Sequence, residues 1–246
     1  MTKPDLLLTL LLTQRLLGLG LLLQSVEIFQ TRRIYASGAA LAGRGRLEWL
    51  VTIRGALALW LIVAPASVMS AAATVIGVLL LVSTVWLTVR SRGPVCGGSD
   101  SMFFQVQLGL LVASLGFVHP ICAQLGLGWI VAQSVLSYFL AGLAKLKNAG
   151  WRNGVALQNL FRSSGPYVLL AGSRRLAEAP ALCAVLAWGV LGFELLFPAV
   201  WFLLLEPKLV FLALGLAFHV ANAALLGLNR FIWAWAATYP ALLYFR

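Results

Sequence analysis

Long apolar runs, broken at short intervals by polar or basic residues, set the pattern of this chain. Runs suited to crossing a bilayer lie near 5–27, 47–65, 68–89, 101–118, 121–145, 180–205, 208–227 and 230–245. A helix rising 1.5 Å per residue needs about 17–25 apolar residues to cross the hydrocarbon layer. Pro65, Pro120 and Pro207 fall in very short connections, as in tight turns between antiparallel helices. The last run is aromatic-rich and carries Pro240, so spanning the membrane and lying at its surface both stay open. The longest break, 146–179, places Val155, Leu157, Leu160 and Phe161 at helical spacing, which predicts an amphipathic interfacial helix near 152–163. The pattern predicts an all-α polytopic membrane helix bundle. It has seven to eight transmembrane helices and forms a single integral membrane domain over residues 1–246.

Composition turns that pattern into a requirement. The chain is 61% hydrophobic and 10% charged, against about 45–50% and about 25% for a soluble domain, so lipid must act as its solvent. The net charge of +11 raises the possibility of a nucleic-acid partner, but its distribution argues against one. The cations punctuate the apolar runs instead of gathering in one polar region. Arg32, Arg33, Arg44 and Arg46 follow the first run, Arg90 and Arg92 the third, and Lys147, Arg152, Arg162, Arg174 and Arg175 the fifth. Arg230 follows the seventh, whereas the alternate connections carry little beyond Lys208. The positive-inside bias then predicts cytoplasmic basic loops and an external N-terminus. Cys96, Cys122 and Cys183 are scattered, without ligand spacing, so no metal site is expected. The N-terminal run lacks a small-residue cleavage site and reads as a retained helix.

Ionisable residues inside apolar runs cost about 2.5–3.5 kcal/mol each at the helix centre and ask for a reason. Lys145 ends the segment YFLAGLAKLKNAGW, 138–151. It has two readings: an anchor snorkelling to the headgroups, or an amine on the small polar stripe Ser134, Tyr138, Gly142, Lys145 that faces the protein interior. Held in an apolar pocket, a lysine can supply a neutral amine and act as a base. Trp151 closes the same segment. His219 and Asn222 are three apart on one helix face, suited either to packing or to holding a carbonyl or hydroxyl. Glu194, in mid-run, must be protonated or paired, with Arg15 and Arg54 as candidate partners; Arg54 has a snorkelling alternative. Asp100 is a candidate N-cap of the fourth helix, and His119, in a turn, is expected to be solvated.

The blocks YFLAGLAKLKNAGWRNGVAL and FHVANAALLGLNRFIWAWAATYPALLYF resemble the horizontally transferred transmembrane (HTTM) family. That family includes the membrane domain of vitamin K-dependent gamma-glutamyl carboxylase. The resemblance implies a quinone or hydroquinone cofactor, Lys145 as the base and His219 as the family's motif histidine. Tyr138, Gly142, Trp151, Asn222 and Glu194 are then expected around the quinone, in a pocket between the fifth and seventh helices. Ala144 stands where the carboxylase has a second lysine, and Asp100 where the family often shows a histidine. The chain stops at Arg246, before the large luminal portion of the carboxylase would follow. The resemblance implies a quinone- or lipid-linked membrane enzyme, with quinol oxygenation coupled to modification or maturation of a peptide. A non-catalytic membrane subunit or scaffold is the alternative; no inverted repeat supports a transporter. The expected setting is the bacterial cytoplasmic membrane, with membrane lipids and a peptide or membrane protein as partners.

Overall fold

A computed structural model of the chain describes residues 5–31, 44–63, 68–90, 97–163 and 173–245. Arg32, Arg33, Arg92, Pro65 and Cys96, singled out above, lie outside the described residues. The helices are α1 (Leu6–Gln30), α2 (Arg44–Val63), α3 (Ala71–Arg90), α4 (Gly98–Ser114), α5 (Ile121–Lys147), α6 (Ala149–Arg152), α7 (Val155–Arg162), α8 (Ser173–Leu176), α9 (Pro180–Leu196), α10 (Leu205–Leu226), α11 (Asn229–Ala236) and α12 (Tyr239–Tyr244). Tight 3₁₀ turns extend α4 through Leu115–Phe117 and α9 through Phe197–Trp201. The protein is an all-α polytopic membrane bundle.

Among the described residues, six helices are long and apolar enough to cross a membrane: α1, α3, α4, α5, α9 and α10. Two of the eight expected runs differ. The α2 helix is 20 residues long but carries Arg46, Glu48 and Arg54. The run at 230–245 is broken after Ala236, and Pro240 sits in the first turn of α12, where its missing N–H costs nothing. Two smaller expectations are also corrected. The α10 helix starts at Leu205, so Pro207 and Lys208 belong to its first turn and not to a loop; Lys208 is buried. Gly97 is the N-cap of α4, which leaves Asp100 inside the first turn.

The chain divides into two compact units, residues 1–131 with 233–245, and residues 132–232. In the first unit α1 packs along α2, and α3 along α4. Their inner faces carry Leu10, Leu17, Leu21, Ala58, Leu80, Phe103 and Val106. Val78, Val82, Val85 and Val89 recur at helical spacing on the exposed face of α3, which is the lipid-facing stripe.

At the heart of this unit lies a charge, not a hydrocarbon. Arg54 is 1% exposed and donates to Gln24 Oε1 at 2.6 Å, Ser25 Oγ at 3.3 Å and Thr84 Oγ1 at 3.4 Å. Gln24 in turn donates to Asp100 at 2.5 Å, and Thr84 to Gln107 at 3.0 Å. Arg54 therefore does not snorkel. A guanidinium carries five donors in a fixed fork; α1 and α3 bring oxygens to its two terminal nitrogens, and α4 backs those groups through Asp100 and Gln107.

In the second unit α9 is the organising helix. Cys183, Ala187, Leu191 and Glu194 form its buried stripe. The short helices α6 and α7 pack against it, and α8 packs against α7. The chain reverses into α7 at Gly154, whose φ of 79° is left-handed. A Cβ there would also stand 2.5 Å from the Ala184 backbone nitrogen, so the turn admits glycine for both shape and space. The amphipathic helix expected near 152–163 is α7, starting at Val155 because this turn separates it from α6. Its inner residues are Leu157, Gln158 and Phe161.

Candidate functional site

All seven residues expected at the site fall in the second unit. The C-terminal half of α5 supplies the stripe anticipated from sequence. Ser134, Tyr138 and Gly142 are buried and Lys145 is half-buried, while Leu136 and Leu140 are exposed. Gly142 lets α9 come close: a Cβ at that position would sit 3.0 Å from Leu195 Cγ and 3.1 Å from Glu194 Cβ. That approach brings the acid to the lysine.

Lys145 Nζ donates to both oxygens of Glu194, at 2.6 and 2.7 Å. The side chains are 20% and 4% exposed respectively. The partner of Glu194 is thus Lys145. Arg54 is held by Gln24, Ser25 and Thr84, and Arg15 is exposed on α1. Sequence spacing ties Lys145 to its own helix; the pairing with a residue 49 positions away arises only from the packing of α5 on α9. A buried carboxylate and ammonium offset each other's desolvation, so each makes the other tolerable in apolar surroundings.

A second local device covers the pair. Asn148 caps α6 by accepting from the Gly150 N–H at 2.8 Å, which turns the chain and brings Trp151 back. The Trp151 ring centroid lies 5.2 Å from Lys145 Nζ, within cation–π range. Trp188 Nε1 donates to the Arg152 carbonyl at 3.1 Å and ties the turn to α9.

Two turns before Lys145, the Tyr138 hydroxyl and His219 Nε2 lie 2.6 Å apart, both side chains buried. The Tyr138 ring stacks on Phe197 with centroids 3.8 Å apart and meets Phe193 edge-on at 5.6 Å. Phe193 also packs on Phe211 and Phe218, and His219 on Phe218 and Phe231. None of these five phenylalanines was anticipated. The signal available was the pair Phe193 and Phe197 flanking Glu194 at one-turn spacing, and Phe218 beside His219. Asn222 is half-buried in the last turn of α10; its carbonyl accepts from Gly227 and Leu228, and its side chain makes no hydrogen bond. His219 therefore meets Tyr138, and Asn222 is not brought into that contact. His119 is exposed, as expected.

An ion pair, an aromatic lid and a tyrosine–histidine contact are thus carried on α5, α6, α9 and α10. Comparison with known families matches the HTTM domain over residues 120–246, just over half of the chain. The chain belongs to the HTTM family. The match takes in the whole second unit, and with it every residue of the HTTM site described above. No curated protein and no solved structure matches this HTTM protein. In chemical terms the site offers an acid–base pair, which is a proton acceptor and donor in one. Beside it stands an aromatic wall with one phenolic hydroxyl and one imidazole.

Proposed function

We propose that this HTTM protein is a quinone- or lipid-linked membrane enzyme that removes a proton from a hydroquinone-type substrate, with the Lys145–Glu194 pair as the base. The observation that carries this reading is the bidentate pair itself: a lysine whose Nζ lies 2.6 Å from a carboxylate oxygen, beneath an indole ring. Shifting that proton to Glu194 frees the Lys145 amine. The amine then accepts a substrate proton and returns to ammonium, so the pair as a whole has gained one proton. The aromatic wall of Tyr138, Phe193, Phe197 and Phe218 suits a flat ring, and the Tyr138–His219 contact offers a donor or acceptor to a ring oxygen. These residues fit a hydroquinone head. When bound, such a head supplies two phenolic protons and two electrons. Tyr138, Glu194 and His219 are buried, which limits water around the pair. The family resemblance extends the reading to quinol oxygenation coupled to modification or maturation of a peptide in the bacterial cytoplasmic membrane.

The same pair favours a second reading, a non-catalytic membrane subunit in which Lys145 and Glu194 staple α5 to α9. Binding separates the two. A short-chain quinone titrated into purified protein is expected to bind the wild type, and about tenfold or more weaker to Phe193→Ala, which strips an aromatic face worth roughly 1–3 kcal/mol. Absence of binding to the folded wild type leaves the subunit reading in its place.

A further inference from the structure

Five cations surround the site end of the second unit without taking part in it. Residues 146–179 hold Lys147, Arg152, Arg162, Arg174 and Arg175 against a single acid, Glu178. All six are exposed. None of the five cations is ion-paired with a described residue; only Arg152 makes a side-chain hydrogen bond, to the Leu146 carbonyl at 2.7 Å. They are nevertheless held in one place. The helices α6, α7 and α8 are fastened by Leu157, Phe161, Ala177, Cys183 and Ala187, with Trp151 and Leu176 packed alongside. Lys147 ends α5, and Arg152, Arg162, Arg174 and Arg175 lie on the plate of these short helices.

The plate is also greasy. Val155 on α7 is 44% exposed, Leu160 on α7 37%, and Trp188 on α9, bonded to the Arg152 carbonyl, 51%. Water alone makes a poor neighbour for such a surface. So does a soluble acidic peptide, which would satisfy the charges and leave the apolar groups wet. A membrane interface satisfies both at once, with apolar side chains among the upper acyl carbons and cations at the phosphates. Zwitterionic headgroups bring no net charge to offset five cations, whereas anionic headgroups do.

We propose that the plate formed by α6, α7 and α8 binds anionic phospholipid headgroups and collects them around the Lys145–Glu194 end of the unit. Trp151 belongs both to this plate and to the lid over Lys145, so the lipid layer and the site share a residue. The inference stands whether or not Lys145 acts as a base.

The test uses the full chain in bilayers of phosphatidylcholine and phosphatidylglycerol, with retained lipid counted by native mass spectrometry after mild extraction. Each surface cation changes local preference for anionic lipid by about fivefold. The triple variant Arg162→Gln, Arg174→Gln, Arg175→Gln is therefore expected to lose the wild-type preference for phosphatidylglycerol on the order of 100-fold, at unchanged thermal stability. Added salt should weaken the wild-type preference in the same direction. The single variant Arg162→Gln, with about a fivefold loss, serves if the triple variant does not fold. Equal retention of the two lipids by wild type, or identical preference in wild type and Arg162→Gln, overturns the proposal. Saturable binding of a polyglutamate peptide with no dependence on lipid composition overturns it too, and assigns the plate to an acidic polypeptide.

Discussion

Two basic side chains in apolar surroundings, Arg54 and Lys145, are held in two ways. In the first unit Arg54 is almost fully enclosed and shares its donors among Gln24, Ser25 and Thr84, with Asp100 reached through Gln24. In the second unit Lys145 gives two hydrogen bonds to one carboxylate, keeps 20% of its side chain exposed, and lies under an indole face. A guanidinium does not give up its proton, and its five donors reward oxygens that arrive from several helices. That arrangement ties α1, α2 and α3 together. An ammonium is a point donor on a flexible stem, and it can release its proton to the very carboxylate that binds it. The first cluster suits a fixed tie between helices, and under the proposed function the second is where a proton moves.

The comparison is broken most easily from the arginine side. Arg54→Ala removes the hub and leaves Gln24, Thr84 and Asp100 buried without it. The expected loss is about 3–5 kcal/mol of stability, seen as a large fall in melting temperature in detergent. An unchanged melting temperature would mean that Arg54 is not the hub of the first unit.

Glu194 sharpens the other half. Glu194→Leu strands the Lys145 ammonium in apolar surroundings, at a cost of about 3–5 kcal/mol, whereas Glu194→Gln keeps an acceptor for it and should lose about half as much or less. Equal melting temperatures for the two variants would place the pair outside the packing of α5 on α9.

A smaller effect tests how the arginine cluster shares its load. Thr84→Val keeps the side-chain shape but removes the bonds to Arg54 at 3.4 Å and Gln107 at 3.0 Å. With Gln24 and Ser25 still in place, the expected cost is about 1 kcal/mol. A loss as large as that of Arg54→Ala would show a cluster that fails as a unit, not one with a hub.

Why some of this was legible in sequence follows from what sequence spacing can encode. Periodicity along one helix placed Ser134, Tyr138, Gly142 and Lys145 on one inward face, and six of the eight apolar runs located helices long and apolar enough to cross a membrane. The amphipathic pattern located α7 to within a few residues. Spacing along one helix does not say which face of another helix will meet it. Hence Glu194 was matched to the wrong bases, and the five phenylalanines around Tyr138 and His219 stayed hidden among many apolar residues. Arg54 near a helix start looked like a snorkelling residue because Gln24, Thr84 and Gln107, each unremarkable alone, come together only in the fold. Asp100 reads as a cap because acid near a helix start commonly is one, while Gln24, which donates to it, lies 76 residues away. The local pattern carried the elements, and tertiary contacts decided the partners.

The central claim is that Lys145 works as a proton acceptor and not only as a staple. Lys145→Arg separates the two, since arginine keeps the charge and can still bond Glu194 but offers no neutral amine. Purified wild type and Lys145→Arg are to be compared for oxidation of a short-chain hydroquinone under oxygen, with melting temperature as the control. The account predicts closely similar melting temperatures and a fall in rate of about 10²–10⁴-fold in the arginine variant. A folded Lys145→Arg protein with the wild-type rate would contradict it and leave the ion pair as a structural tie.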